Sequence, residues 1–158
     1  DRARGLKMKV VAFDPFLTPE RAIEMGVEKV TLDELLARAD FITLHTPLTD
    51  QTRNILSAEN LAKTKKGVRI INCARGGLIV EKDLKEALDS GHVAGAALDV
   101  FDVEPLPVDD VLRSMPNLLV TPHLGFIAEP IFAAFAKGIT ETLEAWLDGE
   151  PLPKPYKP

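Results

Sequence analysis

Short apolar runs recur along this chain of 158 residues, and each is continuous rather than alternating with polar residues. Continuous runs of this length are typical of parallel β-strands covered on both faces, whereas half-exposed strands alternate with a period of two. Five runs lie at residues 8–14, 40–45, 68–72, 93–100 and 117–122, and a weaker sixth lies at 27–30. The pattern therefore predicts a parallel sheet.

Helical patterns separate these runs, at residues 19–25, 32–39, 57–64 and 81–90, with a shorter candidate at 109–114. Thr31 followed by Glu34 is a capping-box signature, and Ser57 can cap the next helix. Gly91 suits the position just after the helix at 81–90. Strands alternating with helices predict an α/β fold, a parallel sheet with helices on both faces.

The last part of the sequence predicts one long helix and then a tail. Apolar residues recur at three- and four-residue steps from about Pro130 to Asp148, which indicates an amphipathic helix. Prolines then interrupt residues 149–158, where a helix cannot continue. We expect one domain over residues 1–148 and a proline-rich tail over 149–158.

Composition excludes several classes of function. The net charge is −5, and Lys and Arg are interspersed with acids, so a nucleic-acid surface is not expected. The single cysteine cannot form an internal disulfide, and no apolar run reaches the 18 residues that a membrane span needs. We expect a cytoplasmic protein that uses no membrane and no metal and binds small molecules or a second copy of itself.

Three side chains of complementary chemistry follow successive apolar runs: Arg75, Glu104 and His123. The carboxyl ends of parallel strands meet at one edge of a sheet, where active sites of α/β proteins lie. A guanidinium can bind a carboxylate through two hydrogen bonds, and a nearby carboxylate stabilises a protonated imidazole that serves as a general acid. Each residue alone has a simpler interpretation, as a surface arginine or a structural histidine.

Other chemically capable residues are less specific. Asp14 ends the first run, where a carboxylate can accept the hydroxyls of an adenosine ribose, although an ordinary Asp-Pro turn is the more common explanation of such a residue taken alone. His45 is expected to shape the turn before Thr46, and His92 to be a solvated loop residue. Cys73 is expected to line a loop rather than to act as a nucleophile.

Six motifs in register resemble the NAD-binding domain of D-isomer-specific 2-hydroxyacid dehydrogenases, with the phosphoglycerate dehydrogenases as the most similar branch. They are FDP (13–15), HTPLT (45–49), NCARGGLI (72–79), AALDVF (96–101), EP (104–105) and TPHLG (121–125), and they extend over nearly the whole chain. The resemblance implies a Rossmann-derived fold, NAD as cofactor, and hydride transfer to or from a small 2-hydroxy or 2-keto acid.

The resemblance also implies a role for each matching residue. Arg75 would bind the substrate carboxylate and carbonyl, His123 would donate or accept the proton, and Glu104 would tune His123. Asp14 would bind the adenosine ribose. The remaining positions would line the nicotinamide side of the cofactor: Thr46, Pro47, Cys73, Ala74, Asp99, His123 and Gly125.

One element of the family pattern is not found in these residues. The family's glycine-rich G-x-G-x-x-G loop and its first strand precede the segment that resembles residues 1–10, so we expect a fragment in which NAD binding is weakened or lost and activity is absent. With that central strand missing, the sheet could close up to the flavodoxin-like order 2-1-3-4-5, or two chains could swap to complete an incomplete Rossmann sheet. The alternative function is an excised or engineered folding module with no enzymatic activity.

Overall fold

The computed structural model describes residues 1–153, which form two compact units, residues 1–122 and the part of the chain from His123 onward. Helices and strands alternate in the first unit. Its elements are α1 (Arg2–Gly5), β1 (Val11–Ala12), α2 (Pro19–Met25), β2 (Glu28–Lys29), α3 (Leu32–Arg38), β3 (Phe41–Leu44), α4 (Ala58–Ala62), β4 (Val68–Asn72), α5 (Glu81–Asp89), β5 (Val93–Leu98) and β6 (Leu118–Val120).

Two short 3-10 turns interrupt the first unit, at Gly76–Leu78 and at Val111–Ser114. The second of these replaces the helix expected at 109–114. All five main strand predictions and the weak sixth correspond to strands, although β1 has two residues instead of the seven expected. The predicted alternation of strands and helices is confirmed.

The strands form two parallel sheets. β3, β4, β5 and β6 are neighbours in that order, and β1 pairs with β2 in a separate two-stranded sheet. Each strand of the larger sheet follows its neighbour after a crossover, as expected for βαβ units. The α/β class with a parallel sheet is thereby confirmed.

The expectation that β1 and β3 close up into a flavodoxin-like sheet is wrong for this chain. Among residues 1–153, β1 hydrogen-bonds to β2, and none of its ladder bonds reaches β3. A two-residue strand would gain only one or two ladder bonds from closure, each with a net value of about 1 kcal/mol. That gain is too small to draw together two strands separated by α2, β2 and α3. The swapped dimer stays a prediction.

One face of the larger sheet carries the core. Ile42, Val68, Ile70, Val93 and Leu98 lie on this face and are nearly inaccessible. They pack against leucines from the three neighbouring helices, namely Leu36 of α3, Leu61 of α4, and Leu84 and Leu88 of α5. On the opposite face, Phe41 and Leu119 are exposed and the Arg69 guanidinium lies 5.5 Å from the Phe41 ring centroid. The strands of this unit therefore alternate in burial more than their continuous apolar sequences indicate.

Local signals set the helix ends. Thr31 and Glu34 form the predicted capping box at the start of α3, and Gly91, with φ 71°, follows α5 as expected. Ser57 precedes α4, but its side chain makes no capping hydrogen bond. Instead the Ala58 N–H donates to Asp83 Oδ2 at 2.6 Å, so a carboxylate of α5 caps α4.

The second unit contains the predicted long helix, α6 (Glu129–Leu147), and no residue of α6 is buried. No described helix is both long and apolar enough to cross a lipid bilayer. The prediction of a proline-rich tail at 149–158 falls partly on residues 154–158, which lie outside the described residues.

Candidate active site

The carboxyl ends of β3, β4, β5 and β6 lie along one edge of the larger sheet because all four strands are parallel and hydrogen-bonded in order. The loops that follow these strands begin with His45, Cys73, Asp99 and Thr121. Most of the residues predicted for the site therefore lie at a single edge, the place where α/β folds bind their ligands.

Buried Asn72 holds the loop that carries Arg75. Its side-chain Nδ2 donates to the Arg75 carbonyl at 2.8 Å, and its Oδ1 accepts from the Ala74 N–H at 3.0 Å. Asn72 is 1% exposed, and both bonds are partly buried. Sequence reasoning missed Asn72, although a polar residue that ends the apolar run VRIIN was an available signal.

Arg75 has an extended backbone, with φ −146° and ψ 145°, and an exposed side chain. Its Nη1 donates to the neighbouring Ala74 carbonyl at 2.6 Å. Within residues 1–153 no carboxylate pairs with this guanidinium. The remaining N–H groups of Arg75 are available to an external anion.

Gly76 brings the Arg75 loop against the turn that carries Glu104. A Cβ atom at Gly76 would lie 2.1 Å from the carbonyl carbon and oxygen of Phe101 and 2.6 Å from the Asp102 nitrogen. Neither Gly76 nor Gly77 has a positive φ. Glycine is therefore needed at position 76 because two backbones meet there.

Two carboxylates hold the turn at residues 101–104. The Phe101 N–H donates to Glu104 Oε1 at 2.9 Å, and the Asp102 N–H donates to Glu81 Oε1 at 2.8 Å. Burial raises the pKa of Glu81 above its ordinary value of 4.5, and the Asp102 N–H partly offsets that effect. Glu81 was not among the predicted site residues because an acid in the first turn of a helix is common.

Asp99 links the ends of β5 and β6. It is 5% exposed, and its Oδ1 accepts from the Thr121 hydroxyl at 2.5 Å. Its own N–H donates to the Asn72 carbonyl at 2.9 Å. Asp99 therefore joins β4, β5 and β6 at the edge where the cofactor residues were predicted.

His123 begins the second unit and has a positive φ of 55°, an uncommon conformation for a residue with a side chain. Its ring lies edge-on to Phe126, with centroids 5.9 Å apart. Gly125 lies in the same segment. Arg75 and Glu104 belong to the first unit, so the contact of His123 with Glu104 stays a prediction.

The predicted site residues in the loops after β1, β3 and β4 are exposed or half-buried. Asp14 follows β1, and its Oδ1 accepts from the Phe16 N–H at 2.7 Å, as in an ordinary Asp-Pro turn. The Pro47 carbonyl after Thr46 accepts from the Thr52 hydroxyl at 2.6 Å, which fixes that loop. Cys73 is exposed, and the Ala74 N–H is already bonded to Asn72.

The other two histidines have structural partners. His92 is half-buried, and its Nε2 lies 3.0 Å from the Thr64 hydroxyl and 2.9 Å from the Leu61 carbonyl. The prediction that His92 is a solvated loop residue is wrong, because the end of α4 provides it with hydrogen bonds. His45 Nε2 lies 2.9 Å from the Thr43 hydroxyl at the end of β3. Across the described part of the chain, no three His, Cys, Asp or Glu side chains cluster closely enough to hold a metal ion.

Comparison with known proteins gives consistent matches. Residues 1–125 match the model of the family described as D-isomer specific 2-hydroxyacid dehydrogenase, NAD binding domain. The chain is 53% identical over 151 residues to D-3-phosphoglycerate dehydrogenase of Bacillus subtilis, covering 96% of this chain and 29% of that protein. It is 46% identical over 149 residues to the Synechocystis enzyme of the same name, covering 94% and 27%. The chain thus spans less than a third of these curated relatives.

Solved structures agree with the family match. The TT0316 protein from Thermus thermophilus superposes with a TM-score of 0.88 at 38% identity, covering 99% of this chain and 48% of that one. A D-lactate dehydrogenase from Treponema pallidum superposes with a TM-score of 0.87 at 32% identity, covering 98% and 50%. The predicted resemblance is confirmed by both kinds of comparison.

Proposed function

The chain belongs to the D-isomer-specific 2-hydroxyacid dehydrogenase family, in its NAD-binding domain, and we propose that its residues support reversible hydride transfer between NAD(H) and a small 2-hydroxy or 2-keto acid. The observation that carries the proposal is Arg75, whose exposed guanidinium has no carboxylate partner in residues 1–153 and whose backbone buried Asn72 fixes at the carboxyl edge of the sheet. The runner-up is a folding module without enzymatic function.

The chemistry of the predicted cofactor residues suits a nicotinamide dinucleotide. Asp14 presents an exposed carboxylate after β1, which can accept ribose hydroxyls and would repel a 2′-phosphate. The loop after β4 carries the small residues Cys73 and Ala74, and buried Asp99 follows β5. Bound NAD(H) would accept or supply the hydride. The residues that would hold it are Asp14, Thr46, Pro47, Cys73, Ala74, Asp99, His123 and Gly125.

Arg75 would bind and orient the substrate. A guanidinium presents N–H groups in a planar fork that matches a carboxylate, so two parallel hydrogen bonds fix the position of the acid. The Asn72 bonds on both sides of Ala74 keep the Arg75 backbone from moving when the substrate binds. Such preorganisation favours the aligned geometry that hydride transfer requires.

His123 and Glu104 would move the proton. In the oxidation direction the hydroxyl proton of the substrate passes to the His123 imidazole as the C2 hydride leaves, and in the reduction direction the imidazolium returns it to the carbonyl oxygen. Glu104 would stabilise that imidazolium by its negative charge. Support for this role is the fixed position of the Glu104 carboxylate, which the Phe101 N–H holds at 2.9 Å.

These 158 residues by themselves are expected to bind NAD(H) weakly and to show negligible turnover. They contain no G-x-G-x-x-G sequence to bind the pyrophosphate. Each charge-assisted hydrogen bond to phosphate contributes about 1.5–3 kcal/mol, so the loss of two weakens binding by about two powers of ten or more. A homodimer and a cytoplasmic location likewise stay predictions.

Calorimetric titration of the 158-residue chain with NADH and with NADPH tests the proposal. We expect weak binding of NADH, weaker binding of NADPH, and a smaller difference between them at high salt because the repulsion by Asp14 is partly screened. The variant Asp14→Asn should reduce the preference for NADH over NADPH. The matched variant Asp50→Asn, which removes an exposed carboxylate from the Thr46 loop, should leave that preference unchanged. No heat with either cofactor at millimolar concentration would favour the folding module.

Activity is tested in a chimera in which the matched residues of this chain replace their counterparts in the Bacillus subtilis enzyme. The chimera should oxidise 3-phosphoglycerate with NAD, and Arg75→Ala and His123→Ala should each abolish most of that activity. Lys66→Ala, which removes an exposed cation far from the sheet edge, should not. An inactive chimera that still folds and binds NADH would contradict the proposed catalytic roles.

A further inference from the structure

The turn at residues 101–104 depends on a carboxylate that no step of the proposed reaction uses. Glu81 is the first residue of α5, and its Oε1 accepts the Asp102 N–H at 2.8 Å across 21 residues of sequence. Asp102 itself is exposed, so this bond, rather than burial, holds the amide. Glu81 thus ties the N-terminus of α5 to the segment that ends in Glu104.

The same segment is constrained at its other end. The Phe101 N–H donates to Glu104 Oε1, and the Phe101 carbonyl lies against Gly76, beside Arg75. Gly76 limits how far the turn can move toward the Arg75 loop, but a steric contact cannot stop it from moving away. The Glu81 bond supplies the missing restraint because it pulls the adjacent amide toward α5.

We propose that Glu81 is a positioning residue that fixes the 101–104 turn, and through it the Glu104 carboxylate, at the candidate active site. The inference rests on the proposed function, in which Glu104 stabilises protonated His123. Glu81 does not touch the substrate or the cofactor in this proposal. It acts by keeping the Phe101 and Asp102 amides in the arrangement that orients Glu104 Oε1.

Two variants of the full 158-residue chain distinguish the effect of the side-chain length of Glu81 from the effect of its charge. Glu81→Asp keeps the negative charge at the helix N-terminus but is one methylene too short to reach Asp102, whereas Glu81→Gln keeps the reach and the acceptor oxygen without the charge. Asp83→Asn and Asp83→Ala are matched controls, because Asp83 lies in the same helical turn and accepts an N–H from Ala58 instead of Asp102.

Amide hydrogen exchange and the carboxyl ¹³C resonance of Glu104, both measured by NMR, provide the readout. In Glu81→Asp the Asp102 amide should exchange about tenfold faster, the loss of one charge-assisted hydrogen bond, and the Glu104 resonance should shift. Glu81→Gln should retain near wild-type values, and the Asp83 variants should change neither signal. Backbone amides of β4 should exchange at the wild-type rate, which would exclude a global loss of stability as the cause.

The inference is overturned if Glu81→Asp leaves the Asp102 amide and the Glu104 resonance unchanged, or if an Asp83 variant changes them equally. In the chimera described above, Glu81→Asp should lower kcat about tenfold with little change in KM for NAD, and Glu81→Gln should restore it. An inactive parent chimera would contradict the proposed function but leave the NMR result to decide the role of Glu81. If Glu81→Asp changes the NMR signals but not kcat, Glu81 positions the turn without affecting catalysis, and the catalytic part of the inference is wrong.

Discussion

Replacing Gly76 with alanine should disrupt the candidate site through one atom. The added Cβ would lie 2.1 Å from the Phe101 carbonyl carbon and oxygen, about 1.3 Å short of the 3.4 Å at which ordinary contact begins. Both atoms belong to the backbone, so no side-chain rotation relieves the overlap. The 101–104 turn, the Arg75 loop or both must therefore shift by more than an ångström.

The cost follows from overpacking at a site that cannot relax. Inserting a methyl group into a well-packed region costs about 1–3 kcal/mol, and a clash with backbone belongs at the upper end of that range. Because Gly76 has no positive φ, alanine also lowers the entropy of the unfolded chain and recovers about 0.4–1 kcal/mol. A net loss of about 2 kcal/mol lowers the melting temperature of a chain of this size by about 4–8 °C.

Gly77→Ala is the matched control, since it adds the same methyl group to the same 3-10 turn. Its Cβ would meet only the ends of two flexible side chains, Arg53 at 3.1 Å and Leu48 at 3.2 Å, which can move by a few tenths of an ångström. Calorimetry should find it within about 0.5 kcal/mol of the wild type. If Gly76→Ala melts within 2 °C of the wild type, or if Gly77→Ala is equally damaging, the close approach of the two loops is refuted.

Three further changes test other contacts. Burial raises the pKa of Glu81, so the folded protein binds a proton at this carboxyl more tightly than the unfolded protein does. The stability that this proton contributes is present below a pH of about 4.5 and is lost as the pH rises through the raised pKa. Denaturant unfolding of Glu81→Gln across this pH range should lack that loss, so the variant should gain stability relative to the wild type towards neutral pH. Asn72→Ala should lower the free energy of unfolding in urea by about 2–4 kcal/mol, because it leaves the Ala74 N–H and the Arg75 carbonyl without their partner. A decrease of less than about 1 kcal/mol would contradict this. Thr31→Ala should cost about 1 kcal/mol by removing the capping box of α3, while equal stability would show that the cap contributes nothing.

The sequence pattern predicted the central strands better than the first one. β4 was predicted with its observed bounds because its apolar side chains are buried in the middle of the sheet. The run at 8–14 has similar composition, yet its strand covers only Val11 and Ala12, with one further bond at the Val10 carbonyl, since β2 is its single partner strand among residues 1–153. Whether an apolar run becomes a long strand depends on what lies beside it, and local composition does not contain that information.

The candidate site residues were predicted from their types and spacing, whereas the residues that hold their loops in place were not. Arg75 and Asp99 do lie at the ends of successive parallel strands, as the motifs indicated. Asn72 and Glu81 act through hydrogen bonds to backbone groups, 21 residues away in the case of Glu81. A backbone amide has the same identity at every position, so no sequence pattern marks which amide a carboxylate will find.

Arg75 has no carboxylate partner within residues 1–153 although the chain has a net charge of −5, and the bonds of the first unit's acids account for this. Three acids of the first unit are bonded to groups other than Arg75: Glu104 to the Phe101 N–H, Glu81 to the Asp102 N–H, and Asp99 to the Thr121 hydroxyl. Breaking the Asp99 bond, or the bond from buried Phe101 to Glu104, would leave a polar group near the core without that partner, at a cost of about 1–3 kcal/mol. A surface ion pair with Arg75 would return at most about 1 kcal/mol. These costs favour a guanidinium without an internal carboxylate partner, which is the arrangement that the proposed binding of a substrate carboxylate requires.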